Sequence, residues 1–326
     1  MKIRWIAATG ITAAALAPCM VSAQGAPEAY PARPVRVIVG LAPGGATDIQ
    51  ARLFAQKLTE AMGRSFVVEN RTGAGGTIAY AQFAKTAPDG YTLLAVASGF
   101  SIAPAIYAKL AYDPIKDFAP ISLAAQAPLL LLSHPTVPVR SVKDLLVLGR
   151  AKPGVLDFGS AGHGTSTGMA LEMFRTMAKL KVTHVPYKGT GQALIDTIAG
   201  QVHAMFANPL SSMPHVKRGR LRALGVTTAM RSKVLHELPT VAESGVPGFE
   251  TSTWFGMFAP AGTPAAIIGR LNADIVRICN QPEVIDRLAP DGGEPVGSTP
   301  EQFGQHLARE IARWREVVKN AGIKTQ

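Results

Sequence analysis

Val35-Arg36-Val37-Ile38-Val39-Gly40-Leu41-Ala42-Pro43-Gly44-Gly45-Ala46-Thr47-Asp48 carries the chain from a strand into a helix. Its first five residues are β-branched apart from Arg36 and are bounded by Pro34 and Gly40, the pattern of a short buried strand. Pro43 to Asp48 is a turn of small residues. Beyond it Ala51, Phe54, Leu58 and Met62 share one helical face, and Gly63 stops the helix.

The same rhythm continues outward. Phe66 to Asn70 is a second strand, and Thr72-Gly73-Ala74-Gly75-Gly76-Thr77 is a second glycine loop opening a helix. Pro88-Asp89-Gly90 turns into a strand ending at Ala97, closed by Ser98-Gly99-Phe100-Ser101. A second series starts near Leu129 with a strand to Ser133, a helix capped by Ser141, and a short strand Leu156 to Phe158. Gly159 to Ser166 then forms a third glycine and hydroxyl loop before a helix to about Ala178. Strands are expected at Lys181 to Val185, Val202 to Phe206, Leu221 to Val226 and Thr253 to Ala259. Thr263 is expected to cap a helix that Pro264 begins, and Thr299, Pro300 and Gln302 form a capping box for the last helix. Alternating strands and helices imply parallel sheets, with the loops after the strands gathered at one edge where ligands sit. Two such series make two lobes with a cleft between them.

Lys2 and Arg4 precede an uncharged apolar run from Trp5 to about Met20, and Val21-Ser22-Ala23 supplies small side chains before Gln24. This is the pattern of a cleaved secretory signal over residues 1–23. Pro18 argues against lipid attachment at Cys19. Removing the signal leaves Cys279 alone, on a helical face with Leu271 and Ile275, where it reads as a small buried hydrophobe. The chain is 47% hydrophobic and 17% charged, the composition of a folded protein. The net charge of +11 is scattered. Its one dense run, His215 to Arg222, has no interleaved aromatic residue, so nucleic acid is not the expected partner.

The loops at the expected cleft offer Thr47, Asp48, Thr77, Ser98, Ser160, His163, Thr165, Ser166 and several glycines. They contain no paired carboxylates for acid–base work and no Cys/His cluster at metal-ligand spacing. What they supply is hydroxyls, backbone N–H groups and helix N-termini, an anion cradle that needs no arginine. Asp48 reads first as a cap on its helix. Gly164-Thr165-Ser166-Thr167-Gly168 fits a nucleophile elbow, but Ser166 falls in a first helical turn rather than directly after a strand. A secreted serine hydrolase using Ser166 is therefore the second-ranked function. The glycines at 159, 162 and 164 do not have dinucleotide-loop spacing.

Several blocks together resemble the Bug family, the periplasmic binding proteins of tripartite tricarboxylate transporters. They are Val39 to Asp48, Glu69 to Gly76, Ala87 to Thr92, Gly159 to Thr165, His184 to Gly189, Leu221 to Leu224 and Trp254 to Pro264. The resemblance implies a two-lobed α/β Venus-flytrap fold of type II kind. The division that goes with it is residues 24–127 and 250–326 in one lobe and 128–249 in the other. It implies capture of a small carboxylate (a di- or tricarboxylate, an acidic amino acid or an aromatic acid) by a monomer in the periplasm that feeds membrane permease subunits. No catalytic residue, metal or cofactor is expected. The expected ligand contacts are Pro43, Gly44, Gly45, Ala46, Thr47, Asp48, Gly75, Gly76, Ser98, Ser160, Ala161, Gly162, Thr165 and Asn208. Thr72, and the order Ala207-Asn208-Pro209-Leu210, depart from the family's usual pattern. The second departure bears on what the far end of a ligand touches. Transport and ligand sensing would use the same pocket.

Overall fold

The computed structural model describes Met1 and residues 30–326, apart from positions 233, 290, 291, 321, 324 and 326. The signal segment, Cys19 and the expected cut before Gln24 lie outside the described residues.

Two sheets organise the chain. The first contains β1 (Val35–Val39), β2 (Phe66–Asn70), β3 (Thr92–Ala97), β4 (Phe118–Pro128), β10 (Ser252–Pro260) and β11 (Glu294–Pro295), in the order β11-β4-β10-β3-β1-β2. The second contains β5 (Leu130–Ser133), β6 (Asp157–Ser160), β7 (Thr183–Pro186), β8 (Ala204–Ala207) and β9 (Arg222–Val226), in the order β7-β6-β8-β5-β9. Each sheet is the core of one lobe.

Neither sheet is purely parallel, which corrects the expectation from the alternating pattern. β10 runs antiparallel to both β3 and β4, and β5 runs antiparallel to both β8 and β9. The reason is the route of the chain. β4 ends at Pro128 and β5 begins at Leu130, so the chain enters the second lobe without turning and runs away from the cleft. β10 enters the first lobe from the second in the same way. β1 to β4 and β6 to β9 run toward the cleft, while β5 and β10, which follow a lobe-to-lobe passage, and the short edge strand β11 run away from it.

Both faces of the first sheet are covered, so its strands read as apolar runs instead of alternating ones. Val35, Val37 and Val39 face α1 (Ala46–Met62) and α8 (Ala265–Cys279). Ile38, Leu94, Val96 and Phe258 face the other way, against α2 (Thr77–Phe83), α3 (Gly99–Ile106) and α10 (Pro300–Asn320). The stripe Phe303, Leu307, Ile311, Trp314 and Val318 on α10 is buried throughout. Its first three members join the first lobe's core, while Trp314 and Val318 join the core built on Phe158, Phe174 and Phe206 of the second lobe. The last helix therefore ties the lobes together. Its capping box forms as expected: Thr299 N–H donates to Gln302 Oε1, and Gln302 N–H donates to Thr299 Oγ1. At α8 the helix begins at Ala265 with Pro264 in the cap position, and the Thr263 hydroxyl donates to the Pro260 carbonyl. Cys279 is buried and its thiol donates to the Ala124 carbonyl at 3.3 Å. Burial pushes that thiol's pKa up to about 12, so it is inert at neutral pH.

The passages between lobes are knotted at Thr227. Its hydroxyl accepts from Leu129 N–H at 2.8 Å and donates to the Thr251 carbonyl at 2.7 Å. Its N–H donates to the Leu129 carbonyl, and its own carbonyl accepts from Thr251 N–H. One buried residue thus holds the outgoing and returning strands side by side.

Candidate functional site

The loops leaving the cleft ends of the strands feed directly into helices. α1 starts after β1, α3 after β3, α5 (Ser166–Met177) after β6, α6 (Thr190–Ile198) after β7 and α7 (Pro209–Lys217) after β8. All five first turns border one cavity between the lobes. Ala46 and Thr47 come from α1, Gly99 from α3, Thr165, Ser166 and Thr167 from α5, Thr190 from α6 and Asn208 from the cap of α7. Leu41, Gly75, Tyr80, Ala97, Leu129, Ala161, Thr253 and Phe255 complete the lining.

Among the described residues, no Lys, Arg, Asp or Glu lines this cavity. Its polarity comes from helix ends and hydroxyls. α1 and α6 have glycine N-caps, Gly45 and Gly189, which offer no side chain to the first turn. Thr165 caps α5 by accepting from Gly168 N–H, which leaves the N–H groups of Ser166 and Thr167 unclaimed among the described residues. Unpaired first-turn N–H groups carry the positive end of the helix dipole. Asn208 adds the sharpest signal. Its Oδ1 accepts from Leu210 N–H at 2.9 Å, which fixes the amide's orientation. Its Nδ2 is buried and meets no acceptor among the described residues. A buried amide nitrogen without a partner costs about 1–3 kcal/mol, so it is a donor placed for something that enters the cavity.

The lobes meet around this cavity and leave about 20 Å³ within it. That is on the order of one or two water-sized spheres, so any larger solute enters with the lobes parted. Ala42 N–H donates across the cleft to the Lys188 carbonyl at 3.0 Å. The Tyr107 hydroxyl donates to the His163 carbonyl at 3.0 Å. Glycines permit the remaining approach. A Cβ on Gly75 would sit 2.6 Å from the His163 carbonyl, one on Gly189 would sit 2.7 Å from Ala42 N, and one on Gly191 would collide with the Pro43 carbonyl.

The expected contact residues fall into three groups. Ala46, Thr47, Gly75, Ala161, Thr165 and Asn208 line the cavity. Pro43, Gly44, Gly45, Gly76 and Gly162 shape the loops around it without lining it. Asp48, Ser98 and Ser160 have side chains engaged elsewhere. Asp48 accepts from Gly44 N–H, from Arg52 Nε at 3.1 Å and from Asn70 Nδ2 at 3.0 Å. Burial works to raise its carboxyl, but these donors outweigh it and hold the group below its ordinary value. Asp48 is thus the acid at the third position of the first turn of α1, where it pins the loop, while the cap itself is Gly45. The Ser98 hydroxyl donates to Thr253 Oγ1 at 3.1 Å. Sequence reasoning passed over Thr190, Thr253 and Tyr80. Thr190 stands in a strand–glycine–hydroxyl pattern identical in kind to Thr47, and that was the available signal.

Ser166 sits in the first turn of α5, with Thr165 as cap. Ser160 is the serine with a histidine partner: its Oγ lies 2.6 Å from His184 Nε2, and His184 Nδ1 lies 3.5 Å from Glu172 Oε1. The order resembles a serine–histidine–carboxylate triad. Ser160 is fully buried, however, and its Oγ accepts from Gly162 N–H, so it presents no open face to an ester.

The sequence matches the family described as "Tripartite tricarboxylate transporter family receptor" over residues 50–323. Three solved structures are similar over almost their whole length. Rpa4515 of R. palustris, solved with adipate, is 40% identical, with a TM-score of 0.88, covering 91% of this chain and 100% of that one. MatC (Rpa3494) from Rhodopseudomonas palustris, solved with bound malate, is 35% identical, with a TM-score of 0.85, covering 89% and 100%. The periplasmic binding protein BugD is 33% identical, with a TM-score of 0.88, covering 91% and 100%.

Proposed function

From the fact that this chain belongs to the tripartite tricarboxylate transporter receptor family, whose members are periplasmic binding proteins and not enzymes, we propose that it captures a small dicarboxylate between its lobes. One carboxylate is held by the first turns of α1, α5 and α6 and by Asn208 Nδ2. The observation that carries this reading is the convergence of five helix N-termini, with one unpartnered buried amide donor, on a cavity that no charged side chain lines among the described residues. The adipate and malate of the similar structures agree with that chemistry. Helix ends contribute about 0.3–1 kcal/mol each when exposed and up to about 2 when partly buried, so several acting together support useful affinity without an ion pair.

In this reading the chain is exported with loss of residues 1–23, works as a monomer in the periplasm and delivers its solute to permease subunits. The lobes divide at 127/128 and 249/250. The passage from β4 to β5 and the tie at Thr227 to Thr251 support that division. A thermal-shift screen of organic acids tests the function. A ligand at a hundred times its Kd adds about 2.7 kcal/mol of stability. A stabilising set confined to small di- or tricarboxylates is expected. Stabilisation by sugars or neutral amino acids, with none by dicarboxylates, contradicts it.

A further inference from the structure

Behind the cleft wall of the second lobe, His163, Glu172 and His184 bring one ligand atom each to within 4.8 Å of one another. They come from three elements: the loop after β6, the middle of α5 and the strand β7. The spacing 163, 172, 184 matches no linear metal motif, which is why the sequence alone shows no such site. We propose that these three side chains form a binding site for a single Zn²⁺ ion. The proposal does not depend on which solute the cleft captures.

Geometry carries the argument. His184 Nδ1 and Glu172 Oε1 are 3.5 Å apart, and the nitrogen is buried without a hydrogen-bond partner. That separation is long for an N–H···O bond. It is close to the ligand–ligand edge of about 3.4 Å that bonds of about 2.0–2.2 Å make in a tetrahedral zinc site. The outer atoms are already arranged as such a site requires. His184 Nε2 lies 2.6 Å from Ser160 Oγ, so an Nε2–H tautomer donates there and turns the Nδ1 lone pair toward the carboxylate. Arg175 holds Glu172 Oε2 and leaves Oε1 for the ion. The His163 ring lies edge-on to His184, with centroids 4.4 Å apart, and a modest turn of the partly exposed His163 ring brings its nitrogen to the third position. Three protein ligands leave the fourth position to solvent.

A bound ion would fix the loop that carries Thr165 into the cavity and whose His163 carbonyl accepts the Tyr107 hydroxyl of the other lobe. The test uses the chain without a histidine tag, stripped with chelator and titrated with Zn²⁺ against a chromophoric competitor. One Zn²⁺ per chain is expected, with affinity reduced at least tenfold by His163→Ala and by His184→Ala and unchanged by His134→Ala, which removes a remote histidine. Co²⁺ added to the unaltered chain should give the intense visible bands of a low-coordinate site. Absence of stoichiometric Zn²⁺ binding, binding retained in the double variant His163→Ala/His184→Ala, or a Co²⁺ spectrum as pale as that of the hydrated ion overturns the proposal. The Co²⁺ arm needs no variant, so it decides the matter even if the substitutions unfold the lobe.

Discussion

Asn208 performs two tasks with one amide, and the two can be separated. Its oxygen caps α7 and its nitrogen faces the cavity. Asp caps a helix as well as Asn does, so Asn208→Asp keeps the cap while replacing the donor with a negative charge. A hydrogen bond to a charged group is worth about 1.5–3 kcal/mol, so carboxylate affinity should fall at least tenfold, with unchanged circular dichroism. Calorimetry on the best acid checks this, and unchanged affinity would remove Asn208 from the site. The glycines make a second pair of predictions. A Cβ on Gly45 meets Thr190 and Gly191 no closer than 3.4 Å, whereas one on Gly191 collides with the Pro43 carbonyl. Gly45→Ala should therefore bind almost normally. Gly191→Ala should lose affinity by blocking closure, without loss of thermal stability, because alanine suits a helix better than glycine.

At the scale of elements, the Thr227 tie predicts its own cost. Thr227→Val keeps the shape of the side chain and removes the hydroxyl, leaving the buried Leu129 N–H and Thr251 carbonyl each short of a partner. Urea unfolding should show a loss of about 1–3 kcal/mol. What could be read from the sequence divides along similar lines. Elements with their own local punctuation were legible: α1 between its glycine loop and Gly63, α4 (Val142–Ala151) behind Ser141, and α10 behind Thr299. β4 was not. It contains Pro120 and Pro128 and a run of small residues, and only its pairing with β10 and β11 makes it a strand. β6 runs two residues beyond the expected end at Phe158, to Ser160, because parallel pairing with β7 extends through the glycine. The site was legible as a set of hydroxyl- and glycine-rich loops. Which hydroxyls face the cavity was not, because Ser98 and Ser160 find partners in residues more than twenty positions away.

For the whole molecule, acid stability follows from a few buried or partly buried titratable groups. His163, His215 and His306 are all held below the ordinary imidazole value, in each case chiefly by burial. The unfolded chain then binds more protons than the folded one below about pH 6.5, so stability is full above that pH and falls as pH drops through the lowered folded values. Asp48 and Glu172 are lowered against the opposing effect of burial, the one by Arg52 and the Gly44 N–H and the other by the neighbouring His184 and Arg175 side chains. Their contribution is present above about pH 4 and is lost as pH falls further. Melting temperatures in chelator should therefore be level from pH 7 to 8 and decline in two stages below. A melting temperature that rises on acidification from pH 7 to 5 would contradict this assignment. The most direct measurement of the central claim is a crystal structure of the chain with the dicarboxylate that stabilises it most. The predicted result is a carboxylate whose oxygens accept from first-turn N–H groups of α1, α5 or α6 and from Asn208 Nδ2, with no Lys or Arg nitrogen in contact. A carboxylate paired directly with a lysine or arginine, or seated away from these helix ends, would contradict it.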